Sequence, residues 1–181
     1  MAVFDSQVYL LSQKFITDYP LSTFPELMYK QGRPYTCLLI ETHEDYFLCI
    51  PFRSSINHPN AYHFTGTKRS LKSRSGLDYS KIVVIKDKDY IDSKTPAVVD
   101  QDEYSEMMKN LSSIAQDVLD YVDGYIGHKS GVALLHPREY ARRYGFSTLP
   151  YFDDILGLTP KTAGTANQKS AAGEVECEGP P

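Results

Sequence analysis

The sequence predicts an α+β fold in which a curved, mostly antiparallel sheet packs against helices. Strand-like segments fill the first half of the chain and helix-like segments the second, without the βαβ alternation of a parallel sheet. Two apolar runs, at 34–41 and 46–52, flank a polar turn at 43–45 and predict a β-hairpin. Apolar residues spaced i, i+3, i+4, i+7 over 101–126 predict one long amphipathic helix.

The N-terminal elements can be predicted from local signals. Residues 8–11 form a short apolar strand, and Ser12 is a suitable N-cap for one or two helical turns that end at Pro20. The segment 20–34 is rich in proline and predicts a loop, with a single helical turn at 24–28. Pro51 lacks an N–H for a central ladder, so the second hairpin strand should end or bulge there and release the next residues to solvent.

After residue 60 the sequence predicts a mixture of loops, short strands and helices. We expect a polar, basic loop at 66–76, and we expect the long helix to stop at Gly127. The remaining predictions are strands at 61–64, 81–85, 90–91 and 97–99, a helix at 137–144 that begins at Pro137 and ends before Gly145, and a turn at 150–156.

Length and composition indicate one domain over residues 1–158. The remainder, 159–181, is rich in small and polar residues and predicts a disordered tail. The net charge of −4 and the pI of about 5.7 argue against a protein that coats nucleic acid without specificity, although a local basic site is compatible with them. Three cysteines without a CxxC pattern predict free thiols in a reducing compartment. Because neither a signal peptide nor a membrane-length apolar run is evident, we expect a cytoplasmic protein without membrane contact.

The stretch 51–58 is the main candidate for chemistry. Arg53, Ser54, Ser55, Asn57 and His58 place a guanidinium, two hydroxyls, an amide and an imidazole directly after a buried strand. The structural alternative is a polar turn in which the serines bond nearby backbone. The functional interpretation is RNA cleavage, in which the substrate supplies its own 2′-hydroxyl nucleophile. Arginine and serine would then hold the phosphoryl oxygens and histidine would move protons.

A basic span supports a phosphate partner. Between positions 53 and 81, Asp78 is the only acid among six cations. A solvated basic loop is the alternative explanation. We expect contacts to RNA from Lys30, Asn57, His63, Lys68, Arg69, Lys72, Arg74 and Lys81.

A second cluster, at 29–33, precedes the first hairpin strand. Tyr29 could stack on a base or accept a proton, Gly32 would let the backbone approach a phosphate, and Arg33 adds a cation. An ordinary loop is again the alternative.

The sequence has no glycine-rich phosphate loop, no GxSxG and no HExxH motif. His58 and His63 are five residues apart without an acidic or cysteine partner in a ligand pattern. We therefore predict no metal and no other cofactor.

Three phrases resemble the toxins of type III toxin–antitoxin systems, the ToxN/AbiQ group, and most of all its TenpIN branch. They are KQGRPY at 30–35, FLCIPFRS at 47–54 and SGLDYSK at 75–81, and the resemblance extends over about residues 7–156. It implies a compact barrel-like sheet similar to the Kid/MazF toxins. It also implies a metal-independent endoribonuclease that leaves a 2′,3′-cyclic phosphate.

The resemblance further implies a repeated, pseudoknotted RNA antitoxin, a cellular or phage RNA substrate and a hetero-oligomeric protein–RNA assembly. The family's site combines a Tyr and a Lys before the first hairpin strand with a Thr-Ser-x-Lys stretch after the second. Tyr29 matches the Tyr, Arg33 stands at the Lys, Arg53 at the Thr and Ser54 at the Ser. Ile56 stands near the second Lys and cannot replace it, which leaves His58 or Arg53 as substitutes.

Two other function classes remain open at this point. A non-catalytic RNA-binding module would use the same cations, with the serines and histidine incidental. A protein–protein interaction domain would present the basic loop to an acidic partner.

Overall fold

The computed structural model of this chain describes residues 8–30 and 35–158. The strands are β1 Val8–Leu11, β2 Thr36–Glu41, β3 Phe47–Arg53, β4 Ala61–His63, β5 Gly76–Asp78, β6 Val83–Ile85 and β7 Ile91–Asp92. The α-helices are α1 Gln13–Asp18, α2 Lys68–Ser73, α3 Gln101–Lys109, α4 Leu111–Lys129 and α5 Pro137–Tyr144. Short 3₁₀ turns occupy Pro25–Leu27, Tyr79–Lys81, Lys88–Tyr90 and Leu149–Phe152.

The predicted α+β class is confirmed, with an antiparallel sheet of seven strands in the described part of the chain. The strand order is β4-β5-β3-β2-β1-β7, and β6 pairs with β3 beside this path. The predicted hairpin is the β2–β3 pair, in which Leu39 lies opposite Cys49. No described pairing joins β4 to β7, so the sheet is not closed into a barrel within these residues. The tail at 159–181 lies outside the described residues.

The prediction that β3 would end or bulge at Pro51 is wrong about the end, because the strand continues past this residue. Pro51 lies opposite Cys37 of β2, and the strand continues to Arg53. On the other edge of β3, the last partner in β6 faces Cys49 and the first partner in β5 faces Phe52. Pro51 therefore lies where one neighbouring strand has ended and the next has not begun, so no ladder partner needs its missing N–H on that edge.

The predicted long helix is two helices. α3 ends at Lys109 and α4 begins at Leu111, and the Asn110 backbone between them leaves the helical region at φ −110°, ψ 12°. The Asn110 side-chain amide donates to the carbonyl of Glu106 over 2.8 Å, a local bond that competes with helix continuation. Gly127 does not stop α4, which runs to Lys129. A Cβ at position 127 would lie 3.4 Å from the Cβ of Ala133, so the glycine accommodates the returning loop.

The basic segment 66–76 is not the loop we predicted. It contains α2, because Thr67 accepts a bond from the Ser70 backbone while the Ser70 side chain accepts one from Thr67. This reciprocal pair is a capping box with serine in the usual place of Glu or Gln. The predicted strand at 81–85 is shorter, because a 3₁₀ turn extends to Lys81, and residues 97–99 form no strand.

The predictions of α1 and α5 from capping residues are confirmed. The Ser12 hydroxyl accepts a bond from the Phe15 backbone at the start of α1, and α5 begins at Pro137 with Gly145 as its C-cap. The core packs the apolar stripe of α4 against the sheet, with Val118, Val122 and Tyr125 almost fully buried. None of the described helices combines the length and apolar character needed to cross a bilayer.

Candidate functional site

A groove of about 560 Å³ opens at the end of β3. Three separate segments form it: residues 27–30, residues 51–55 and Arg69 of α2. Further lining comes from Tyr35 and Thr36 at the start of β2 and from Val98 and Val99 before α3.

Six predicted site residues lie together in this groove: Tyr29, Lys30, Arg53, Ser54, Ser55 and Arg69. Arg33 belongs to 31–34, which lie outside the described residues. The sequence therefore identified two of the three segments that build the groove and attributed the third, α2, to a loop that would follow the RNA backbone.

The register of the sheet fixes Arg53. It lies opposite Gly76 of β5, which in turn lies opposite His63 of β4. A Cβ on Gly76 would come within 2.2 Å of the Tyr62 carbonyl oxygen. Only glycine permits this close approach of β4 and β5, so Gly76 helps to keep the end of β3 in place.

The chain turns sharply after Arg53. Ser55 has φ +60°, and its backbone N–H donates to the Ser73 carbonyl at the end of α2. The N–H of Ile56 donates to the Arg74 carbonyl over 3.2 Å, and the Ile56 side chain is buried. Ser54 and Ser55 are thereby left exposed at the groove while the residue after them anchors the turn in the core.

Backbone strain is concentrated around the groove. Four non-glycine residues in the described part of the chain have positive φ, namely Met28, Asp45, Ser55 and Arg74. Met28 and Ser55 line the groove, and the carbonyl of Arg74 holds the adjacent turn. Such conformations cost on the order of 1–3 kcal/mol each and tend to cluster at functional sites.

The Arg53 guanidinium lies between an exposed thioether and a buried carboxylate. Its terminal nitrogens are 3.8 and 3.9 Å from the Met28 sulfur, and Nη1 is 3.7 Å from Asp78 Oδ2. The Arg53 side chain is 24% exposed. These contacts are long, so the guanidinium retains donor capacity for a ligand in the groove.

Asp78 is a buried carboxylate that contacts several residues behind Arg53. Its Oδ1 accepts bonds from the Ser80 backbone over 3.0 Å and from the Ser80 hydroxyl over 2.6 Å. The same oxygen is 3.4 Å from Nε2 of His58, whose side chain is 36% exposed. Asp78 therefore connects the predicted histidine to the predicted arginine through one carboxylate.

Arg69 has a buried carboxylate of its own. Its Nε lies 3.1 Å from Oε1 of Glu103, and its Nη2 donates to the Arg53 carbonyl over 3.5 Å. The Nε–H does not point at Oε1, so the contact is an ion pair and not a hydrogen bond. Ser75 donates its hydroxyl proton to the same Oε1. Burial raises the pKa of Glu103, while the Ser75 bond and the Arg69 charge oppose that rise.

The tyrosines of the groove have structural partners. The Tyr29 hydroxyl lies 3.3 Å from the Ile16 carbonyl and 3.1 Å from that of Tyr19, so it caps the end of α1. Tyr35 donates to the Lys81 carbonyl, and burial raises its pKa well above the usual range. Both hydroxyls are engaged in these contacts, so the half-buried ring is the part of Tyr29 that is available to a ligand.

His58, Asn57 and His63 lie beside the groove and do not line it. Nε2 of His58 is 3.5 Å from the Ser80 hydroxyl. The backbone carbonyl oxygen of His58 is 2.9 Å from Nε2 of His63. Asn57 accepts a bond from Arg74 over 3.2 Å. Three predicted backbone contacts, Lys68, Lys72 and Arg74, are exposed in or directly after α2.

Lys81 does not fit the predicted role of contacting RNA. Its residue is 5% exposed, and its ammonium pairs with Glu26 at 2.5 Å and donates to the Phe146 carbonyl over 2.7 Å. Lys81 thus fastens the 3₁₀ turn at Pro25–Leu27, which leads into the groove, to the body of the fold.

Sequence reasoning missed the two buried carboxylates and Met28. Asp78 was noted only as the single acid in a basic span, and that isolation was the available signal for a paired role. Glu103 follows Asp100 and Asp102 near the start of the predicted helix, and nothing in its spacing predicts complete burial.

No protein-family model, curated protein or solved structure matches this chain. The resemblance to the type III toxins therefore stays a prediction.

Proposed function

We propose that this protein is a metal-independent endoribonuclease toxin of a type III toxin–antitoxin system. It cleaves RNA by attack of a 2′-hydroxyl on the adjacent phosphorus, which expels the 5′-oxygen and leaves a 2′,3′-cyclic phosphate. The observation that carries the proposal is the meeting of two guanidiniums and two serine hydroxyls in one groove, contributed by Arg53, Arg69, Ser54 and Ser55.

The arrangement suits a phosphodiester. Arg53 and Arg69 can each donate to non-bridging oxygens in the fork geometry that guanidinium and phosphate share. Ser54 and Ser55 are exposed at the same place and can donate a further hydrogen bond. Donors held before the substrate arrives stabilise the charge that develops on the phosphoryl oxygens, and removal of one such donor typically costs about 10²–10³ in rate.

Proton transfer falls to His58 in this proposal. The Tyr29 hydroxyl is committed to the end of α1, and Arg53 does not release a proton at neutral pH. His58 is partly exposed and lies near the same carboxylate, Asp78, as Arg53, and this proximity supports the role. Histidine is the side chain best suited to move protons near neutrality.

The exposed cations would guide the rest of the strand. Lys30 stands on one wall of the groove, and Lys68, Lys72 and Arg74 belong to α2 and its end. The chain as a whole carries a charge of −4, so an RNA would be held along this side and repelled elsewhere.

The partners in this proposal are a repeated, pseudoknotted RNA antitoxin and a cellular or phage RNA substrate. The antitoxin occupies the same groove within a hetero-oligomeric assembly in the cytoplasm. The fold proposed with this function is a Kid/MazF-like barrel, although the described strands leave the sheet open. Short tandem DNA repeats directly upstream of the gene are the expected genetic signature of such an antitoxin.

Incubation of the purified protein with RNA in excess EDTA tests the activity. We expect cut fragments that end in 2′,3′-cyclic phosphate, identified by their resistance to ligation until the cyclic ends are opened and removed. RNA that is bound but intact would contradict the nuclease proposal. That result would favour the second candidate, a non-catalytic RNA-binding module, which is supported by the fact that no imidazole of the described residues lines the groove.

A further inference from the structure

The Arg69 guanidinium is held beside Arg53 by contacts on two of its nitrogens. Nε faces Glu103, and Nη2 donates to the Arg53 carbonyl. Nη1 has no hydrogen-bond partner among the described residues. The side chain is one third exposed and lines the groove, so its free edge is available to a ligand that Arg53 also touches.

The carboxylate behind Arg69 is completely buried. Glu103 is 0% exposed, and its Oε1 receives both the Ser75 hydroxyl and the ion pair from Arg69. Its Oε2 is buried without a hydrogen-bond partner in the described part of the chain. Burial of a charge with one unsatisfied oxygen is costly, so the packing of an ordinary helix start does not explain it.

Attachment of α2 to α3 does not require Glu103. The Lys68 backbone donates to Asp102 over 2.8 Å. Glu106 accepts bonds from the backbones of Thr65 and Gly66 over 2.9 and 3.2 Å. These neighbours of Glu103 already fasten the start of α2, which leaves Glu103 with two partners, the Arg69 guanidinium and the buried Ser75 hydroxyl; of these, only Arg69 lines the groove.

We infer that Glu103 is a positioning residue that presents Arg69 to the phosphoryl group held by Arg53, so that two guanidiniums clamp one phosphodiester. Glu103 does not touch the RNA and acts only through Arg69. This inference rests on the proposed function, because it takes an RNA phosphate as the ligand of the groove.

A double-mutant cycle in RNA binding tests the inference without requiring cleavage. The probe is a fluorescent oligoribonucleotide with 2′-O-methyl groups, which cannot be cut by 2′-hydroxyl attack. Binding is measured at several salt concentrations for wild type, Glu103→Gln, Arg69→Ala and the double variant. Removal of a negative charge would by itself raise the affinity for RNA through weaker long-range repulsion. Elevated salt screens this repulsion, so the affinity measured at elevated salt reports the geometry of the clamp.

We expect Glu103→Gln to weaken binding about fivefold at elevated salt in the wild-type background and to have no effect in the Arg69→Ala background. Arg69→Ala should also lower the slope of log K against log salt by about one, as for the loss of one phosphate contact. Equal effects of Glu103→Gln in both backgrounds would overturn the inference, and so would wild-type affinity in Glu103→Gln.

Two controls keep the result interpretable. Asp120→Asn on the exposed face of α4 removes a negative charge without touching either arginine and should bind like wild type. If Arg69→Ala does not fold, Arg69→Gln replaces it, because the amide removes the charge that pairs with Glu103 and still fills part of the space; Glu103→Gln should again have no effect in this background.

Failure of the inference and failure of the proposed function give different results. A wild type that binds the probe but cuts no unmodified RNA refutes the nuclease, while the cycle still decides the role of Glu103. A wild type that does not bind the probe overturns both.

Discussion

The two arginines of the groove are held by buried carboxylates in different ways. Arg53 lies 3.7 Å from Asp78, whose other oxygen is already satisfied by Ser80 two residues further along the chain. Arg69 lies 3.1 Å from Glu103, which comes from a different helix and retains an unsatisfied oxygen. Asp78 is thus stable with little help from its arginine, whereas Glu103 depends on Arg69 for charge compensation.

The difference separates two tasks. Arg53 is placed mainly by the backbone of β3, since its residue is paired in the sheet opposite Gly76. Arg69 stands on a six-residue helix and is oriented by side-chain contacts. Each pair should therefore respond differently when one partner is removed.

Loss of the Asp78 carboxylate should have the largest effect on stability. Asp78→Ala removes two bonds to Ser80 and leaves the buried hydroxyl unsatisfied, so the free energy of unfolding should fall by about 3 kcal/mol. Chemical denaturation measures this change. Asp120→Ala, on an exposed helix face, should change it by no more than about 0.5 kcal/mol. If Asp78→Ala lowers the free energy of unfolding by less than about 1 kcal/mol, the bonds that Asp78 makes to Ser80 do not stabilise the fold as described.

Loss of Arg69 should have the second-largest effect on stability, and a second substitution should restore most of the lost stability. Arg69→Ala leaves Glu103 buried without a counter-charge, and we expect the unfolding free energy to fall by about 2 kcal/mol after allowance for the partial exposure of the arginine. Arg69→Ala combined with Glu103→Gln should recover most of it. If the double variant is less stable than Arg69→Ala, the two residues are not coupled as described.

Loss of Arg53 should cost less, about 1 kcal/mol or below, because its ion-pair distance is long and Asp78 keeps its bonds to Ser80. Thermal or chemical unfolding of Arg53→Ala gives the value. A loss as large as that of Arg69→Ala would show that the contrast between the pairs is wrong.

The pH dependence should show the smallest effect. Burial raises the pKa of Glu103, so the folded state binds this proton more tightly than the unfolded state. The contribution to stability is then present below the ordinary glutamate pKa and is lost as the pH rises through the raised one. Glu103→Gln removes the titration, and its unfolding free energy should decline less than that of wild type over the window just above the ordinary value. Identical pH profiles would contradict this assignment.

The sequence predicted those parts of the fold that depend on neighbouring residues. The hairpin, the Ser12 cap and the start of α5 at Pro137 follow from short-range signals. The break at Asn110 was missed because the apolar period continues across it. Pro51 was misjudged because the rule against proline in a ladder assumes a partner strand on both edges.

The sequence indicated six of the residues that line the groove, but it did not indicate which carboxylates their charged side chains contact. Arg53 and the serines were singled out for their chemistry after a strand. Tyr29, which the resemblance matched to the family's tyrosine, and Lys30, which was predicted as an RNA contact, line the same groove. Lys81 was assigned to the basic surface, yet its partner Glu26 is 55 positions away in sequence. Contacts at such a separation leave no periodic pattern, and the same holds for Arg69 and Glu103.

The cleavage rate of Arg53→Ala tests the central claim most directly. The measurement compares single-turnover cleavage of one RNA in EDTA by wild type, Arg53→Ala and Arg138→Ala, the last being an exposed arginine on α5. We predict that Arg53→Ala stays folded and loses about 10²-fold or more in rate, while Arg138→Ala cuts like wild type. A folded Arg53→Ala protein that cleaves RNA at the wild-type rate would contradict the placement of the cleavage site in this groove.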